Sequence, residues 1–209
     1  MKKLIITGMI CLSFINFTQA QTESPSIGIK GGVNFTNLYT EDVDDNNILT
    51  SFNAGIYTNF PIASSVSIQP EFIYSRKGSE LVYDNAFASG TTKIKLNYLE
   101  MPVLVKLNLT PNFNVHFGPY VAYLIDGKAT NESDGGSFDF EENIDTDDLN
   151  RWDYGLSAGV GFDFNSASIG LRYNYGLQTI GKEREFGGET YTVPDSKNSA
   201  LSLYVGFKL

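Results

Sequence analysis

Hydrophobicity in this chain repeats every second residue, and that period constrains the fold more than any other feature. In the last segment Leu201, Leu203, Val205, Phe207 and Leu209 alternate with Ala200, Ser202, Tyr204, Gly206 and Lys208. Successive side chains of a β-strand point to opposite faces, so this segment has one oily face and one small or polar face. The same alternation runs through about 27–38, 51–61, 66–77, 99–107, 113–126, 151–164 and 167–178. In 151–164, for example, Trp152, Tyr154, Leu156, Ala158, Val160 and Phe162 oppose Asp153, Gly155, Ser157, Gly159, Gly161 and Asp163. Eight strands result. Ile94, Leu96 and Tyr98 take the parity opposite to the oily residues from Leu99 to Leu107, and a β-bulge is expected there to reconcile the two halves.

The connections alternate as well. They are tight at 61–65, 108–112 and 165–167, and long and polar after the first, third, fifth and seventh strands. That is the asymmetry of an outer-membrane barrel, with short periplasmic turns and long outer loops. The inner and outer faces decide against a soluble ligand-carrying barrel, which is oily inside and polar outside. Here one face is almost purely apolar and aromatic, and the other carries Gly, Ser, Asn and charges, which suits a barrel surrounded by lipid. Trp152 and Tyr175 fall near strand ends, where interfacial aromatic belts form. The expected fold is all-β: an eight-stranded antiparallel up-and-down transmembrane β-barrel over residues 21–209, with both mature termini periplasmic.

Residues 1–20 read as a cleaved signal peptide: Met1-Lys2-Lys3, an apolar run from Leu4 to Phe17, then Thr18-Gln19-Ala20. The run is shorter than the roughly 20 residues of a membrane-spanning helix. The one cysteine, Cys11, leaves with it, so the mature chain is expected to have neither disulfides nor thiol chemistry. Loss of Lys2 and Lys3 takes the formal charge from -9 to -11. So acidic a chain lacks the basic face that nucleic acid requires.

On this parity Lys30, Glu71, Glu100, Lys106 and Arg172 face the lumen, joined nearer the ends by Asp153 and Lys208. An eight-stranded barrel is just wide enough inside for side chains to fill. Charges there must pair, which favours a polar plug over the alternative, a narrow path for small ions. The lone histidine, His116, is placed near the periplasmic rim as a packed residue. No nucleophile motif accompanies it, so an enzyme, such as a lipid-modifying barrel, is the remote reading. No cofactor is expected. Glu41, Asp42, Asp44 and Asp45 in the first loop, and Glu132, Asp134, Asp139, Glu141, Glu142, Asp145, Asp147 and Asp148 at 127–150, are read as solvated loop faces. Calcium is their alternative occupant, although the first loop lacks the glycine and closing glutamate of a calcium loop.

Four stretches carry a resemblance: Gly28-Ile29-Lys30-Gly31-Gly32-Val33-Asn34-Phe35, Gln69 through Gly78, Tyr98 through Lys106, and Arg172-Tyr173-Asn174-Tyr175-Gly176-Leu177. In order and spacing the chain resembles the outer-membrane β-barrel family that includes the PorT-like proteins, across nearly the whole mature length. The resemblance implies an outer-membrane location in a Gram-negative bacterium, contact with outer-membrane lipid and lipopolysaccharide, and little about activity. One named branch serves a secretion and gliding apparatus, and no motif here singles it out. The functional expectation is a structural or interaction protein, as an accessory of an envelope or secretion protein partner.

Overall fold

The computed structural model describes residues 24–39, 48–84, 89–133, 139–146, 149–186, 189–192 and 196–209. The signal peptide expected at 1–20, the acids of the first loop, and Asp134, Asp147 and Asp148 lie outside the described residues. The strands are β1 (Ser26–Tyr39), β2 (Leu49–Ala63), β3 (Val66–Asp84), β4 (Ser89–Asn108), β5 (Phe113–Ser133), β6 (Phe140–Ile144), β7 (Trp152–Asp163), β8 (Ala167–Thr179), β9 (Glu183–Phe186), β10 (Glu189–Thr192) and β11 (Lys197–Lys208). Eight of them, β1 to β5, β7, β8 and β11, pair with their neighbours in chain order, and β11 returns to β1. Every pairing is antiparallel, and closure leaves the ring without an edge.

Alternation sorts the side chains as the sequence implies. Phe117, Leu171 and Val205 point outward and expose 50, 45 and 47 % of their surface, whereas Asn34, Glu71 and Ser157 are buried in the lumen. The outward oily runs at 99–107, 113–123 and 201–209 match the about 9–11 residues of a tilted membrane-crossing strand. Short turns link β2 to β3, β4 to β5 and β7 to β8, so these connections define a turn end.

The opposite end departs from expectation. Instead of long polar loops after the third and fifth strands, β3, β4 and β5 continue as paired strands of 19, 20 and 21 residues. β6 replaces β7 as the partner of β5, with Gly127 opposite Ile144 and Asn131 opposite Phe140. The result is a four-stranded overhang. Its base is visible in the register: the outward row Tyr74–Leu99–Tyr123–Trp152 is followed by the row Arg76–Asn97–Asp126. In that second row Arg76 Nε donates to Asn97 Oδ1 at 2.9 Å, and Asn97 Nδ2 donates to Asp126 Oδ1 at 2.6 Å. One pleat thus separates an oily exterior from a charged one.

That change of surroundings corrects the expected bulge. A register shift does occur beside Asn97 and Tyr98, but the extra residue is Ile125 on β5, and β4 keeps its phase. Leu96, Tyr98, Glu100, Pro102 and Leu104 all remain buried. Beyond the Arg76 row the outer face meets water, so the oily residues Ile94 and Leu96 belong inside, as on a soluble sheet. There they join Leu38, Tyr98, Tyr120, Leu124, Leu149 and Ile180 in an apolar cluster across the barrel mouth. Gly78 shapes the step into the overhang. Its φ is 150°, and a Cβ would lie 1.8 Å from the Ile94 carbonyl oxygen.

Candidate functional site

The lumen holds its charges in three tiers. Nearest the turn end, Lys106 on β4 pairs with Asp163 on β7 at 2.8 Å. Asn114 Nδ2 also donates to Asp163, at 2.8 Å. That leaves Asn114 Oδ1 to accept from His116 Nδ1 at 3.0 Å, which places the ring proton on Nδ1. His116 is buried, as expected of a packed histidine, and its Nε2 abuts Gly159 without a hydrogen-bond partner. Among the described residues no hydroxyl is hydrogen-bonded to that nitrogen.

In the second tier Arg172 on β8 grips Glu71 on β3 in a two-pronged contact, Nη1 to Oε2 at 2.6 Å and Nη2 to Oε1 at 2.8 Å. Lys30 on β1 donates to the same carboxylate at 3.2 and 3.3 Å, and Gln69 Nε2 adds a bond at 2.7 Å. Tyr204 stands beside this tier with the Lys30 ammonium 3.6 Å from its ring centre. The ring has room because Gly161 and Gly170 face it: a Cβ on Gly170 would meet the Tyr204 hydroxyl at 2.5 Å. Close approach of this kind is why the inner face is rich in glycine.

The third tier lies under the apolar cluster. Lys77 Nζ sits 2.7 Å from Glu100 and 3.6 Å from Asp153. Asn174 Nδ2 donates to Glu100 at 2.8 Å, while Tyr120 and Asn198 donate to Asp153 at 3.2 and 3.0 Å. Asn34 ties the wall alongside by donating to Ser75 Oγ and accepting from Asn53 and Ser202. The second tier has one excess positive charge and the third one excess negative charge, so together they are neutral.

The structure therefore brings Lys30, Glu71 and Arg172 together, and places Glu100 and Lys106 in the other tiers with partners absent from the expected set. Lys77 and Asp163 are those partners. Lys77 shares the parity of Glu71 and Ser75 in the same strand, so the signal was present. Asp153 joins as expected; Lys208 instead lies exposed at the turn-end rim. The spaces left between tiers are small. A cavity of about 200 Å³ opens at the turn end and leads to a chamber of about 30 Å³ at His116, and a further space of about 10 Å³ lies beside Glu100 and Arg172. The last holds one water at most.

At the overhang end Leu149 closes the mouth. The Asn150 side-chain amide donates to the carbonyls of Thr179 and Gly181, both at 2.9 Å, pinning the segment ahead of β7 to the chain at the end of β8. Among the acids of 127–150 that are described, Asp139 accepts from the Ser133 amide and hydroxyl, which hold its carboxyl below the usual range, and Glu141 pairs with Lys128. Among the described residues no three acids gather to hold a cation.

The sequence profile of the outer membrane protein beta-barrel domain matches residues 19–181. The chain belongs to that family. Membership implies an outer-membrane location and a bilayer crossed by strands; no helix of the described residues is long and apolar enough to cross. Among solved structures, Ail, the attachment invasion locus protein of Yersinia pestis, in complex with the heparin analogue sucrose octasulfate, shares 12% identity at a TM-score of 0.51. The match covers 90% of this chain and 100% of Ail. Neisserial surface protein A shares 14% identity at a TM-score of 0.50, again with 90% and 100% coverage. These likenesses concern the fold. No curated protein sequence matches the chain significantly.

Proposed function

We propose that this family member is a sealed barrel of structural or interaction type, exported by a signal peptide at 1–20. Its turn end lies in the periplasm and its overhang outside the cell. The observation that carries the reading is the lumen, filled by paired charges and covered by the Leu149 cluster. A barrel so filled is poorly suited to passing ions, and among the described residues no hydroxyl pairs with His116 Nε2 to act on lipid. The elaborated surface is the four-stranded overhang, and that is where an envelope or secretion partner would dock. Membership of the broad family supports no assignment to the PorT-like branch.

The test uses cysteine chemistry, since the mature chain has none of its own. Whole cells carrying Asn143→Cys or Ser65→Cys are treated with a membrane-impermeant maleimide that bears a photoactivatable crosslinking group. Asn143 on β6 is expected to be labelled and to crosslink a partner protein, while Ser65 in the β2–β3 turn stays unlabelled. Labelling of Ser65 alone reverses the orientation. Labelling of Asn143 without any crosslinked protein contradicts the interaction reading.

A further inference from the structure

The turn end of the lumen is hollow where the second and third tiers are filled. The cavity of about 200 Å³ opens there, and the chamber of about 30 Å³ continues it inward to His116. Tyr57, Gln69, Lys106, Asp163 and Ser168 line both, so the two spaces form one vestibule. It ends against Lys30, which is held by Glu71. The alternation that builds the barrel also builds this space: Tyr57, Gln69, Lys106, His116, Ser168 and Lys208 come from six strands, each on the lumen parity. Gly28 gives the Tyr57 ring its place against the wall, since a Cβ there would meet the ring at 2.4 Å.

Two properties set the chemistry of the vestibule. The first is charge. Two ammonium groups, Lys106 and Lys208, accompany one carboxylate, Asp163, which Lys106 holds at 2.8 Å. Lys208 pairs with no acid among the described residues, so the rim carries one unmatched cation. The second is hydrogen bonding. His116 is 3 % exposed and carries its proton on Nδ1, so Nε2 is a bare acceptor, and it has no partner. Asn59 Oδ1, on the cavity wall, is another buried acceptor without a partner. Buried acceptors call for donors, which hydroxyl groups supply and a bare anion does not. Size sets a third limit. A cavity of roughly 150 Å³ admits benzene, so this open one admits an acid of roughly ten heavy atoms.

We propose that the vestibule binds a small hydroxylated acid, a polyol phosphate or a hydroxy carboxylate. Its anionic group lies at Lys208 and Lys106, and its hydroxyls point to Asn59 Oδ1 and His116 Nε2. The inference goes beyond the interaction reading, and it holds whichever end of the barrel faces the cell surface.

His116 is the only histidine in the chain, so its ring resonance reports on the chamber directly. The untagged full barrel in phosphatidylcholine nanodiscs is titrated at fixed pH with glycerol 3-phosphate and with glycerate. Glycerol and inorganic phosphate serve as controls for hydroxyls alone and charge alone. At least one of the two acids is expected to move the His116 Cε1–H signal saturably, and at lower concentration than either control. Lys208→Gln should weaken that binding about two- to fivefold, the value of one exposed charge pair. Asp163→Asn, which frees Lys106, should tighten it by a similar factor. Each variant is checked for folding by its gel shift on boiling. A His116 signal unmoved by both acids overturns the proposal, because the vestibule then holds only water. An equal response to inorganic phosphate also overturns it, by removing the role of the hydroxyls. So does a response unchanged in both variants, which would place the bound acid elsewhere.

Discussion

Glu71→Gln lowers the unfolding free energy of the barrel by about 3–5 kcal/mol, the usual cost of removing one partner from a buried ionic group. Lys30 and Arg172 both direct their donors at this carboxylate, and the side chains concerned are 0–4 % exposed. With a neutral amide in its place two cations remain in a dry lumen with no counter-charge in their tier. The one excess negative charge of the third tier offsets only part of this, because Lys77 already lies against both of its carboxylates. Urea unfolding of the barrel in phosphatidylcholine bilayers measures the loss. Replacing all three residues together, as Lys30→Met, Glu71→Leu and Arg172→Met, removes the charges along with their desolvation and should recover most of it. An unchanged stability in Glu71→Gln would mean that this triad is not a desolvated network.

The second large effect lies on the opposite face. Phe117 points outward near the middle of the oily run 113–123, and arginine at mid-bilayer on a barrel exterior costs about 2–4 kcal/mol. Phe164, beside the β7–β8 turn, lies at the edge of the band, where the same substitution costs about 0–1 kcal/mol. The expected result is therefore a depth profile: Phe117→Arg severe, Phe164→Arg mild. Two equal and small losses would indicate an exterior facing water.

Within the bilayer the sequence was nearly transparent. Lipid outside and a narrow polar interior give each parity one meaning, so strand number, closing order and the inward set Lys30, Glu71, Glu100, Lys106 and Arg172 followed from alternation alone. Legibility failed where the solvent changes. Past the Arg76–Asn97–Asp126 row water lies outside, oily residues turn inward, and the alternation at the start of β4 reverses its meaning without breaking the strand. Ile94, Leu96 and Tyr98 therefore looked like a phase error, when they cover the lumen. Lys77, the counter-charge of Glu100, was legible on the parity of Glu71 and Ser75, but it stands at the very end of the expected strand 66–77 and is missing from the inward set. Pairings such as Lys106 with Asp163 join different strands, and no single-strand pattern contains them. Leu149 carried no periodic signal at all, because the segment around it is held by the Asn150 side chain rather than by a ladder.

Whether this lumen is sealed is read from its conductance. The purified barrel, shown to be folded by its gel shift on boiling, is inserted into a planar bilayer in molar salt under applied voltage. The ion-paired tiers and the Leu149 cluster predict a silent membrane, without unitary steps. Discrete, reproducible single-channel openings from the folded protein would show that the lumen is a path and not a plug.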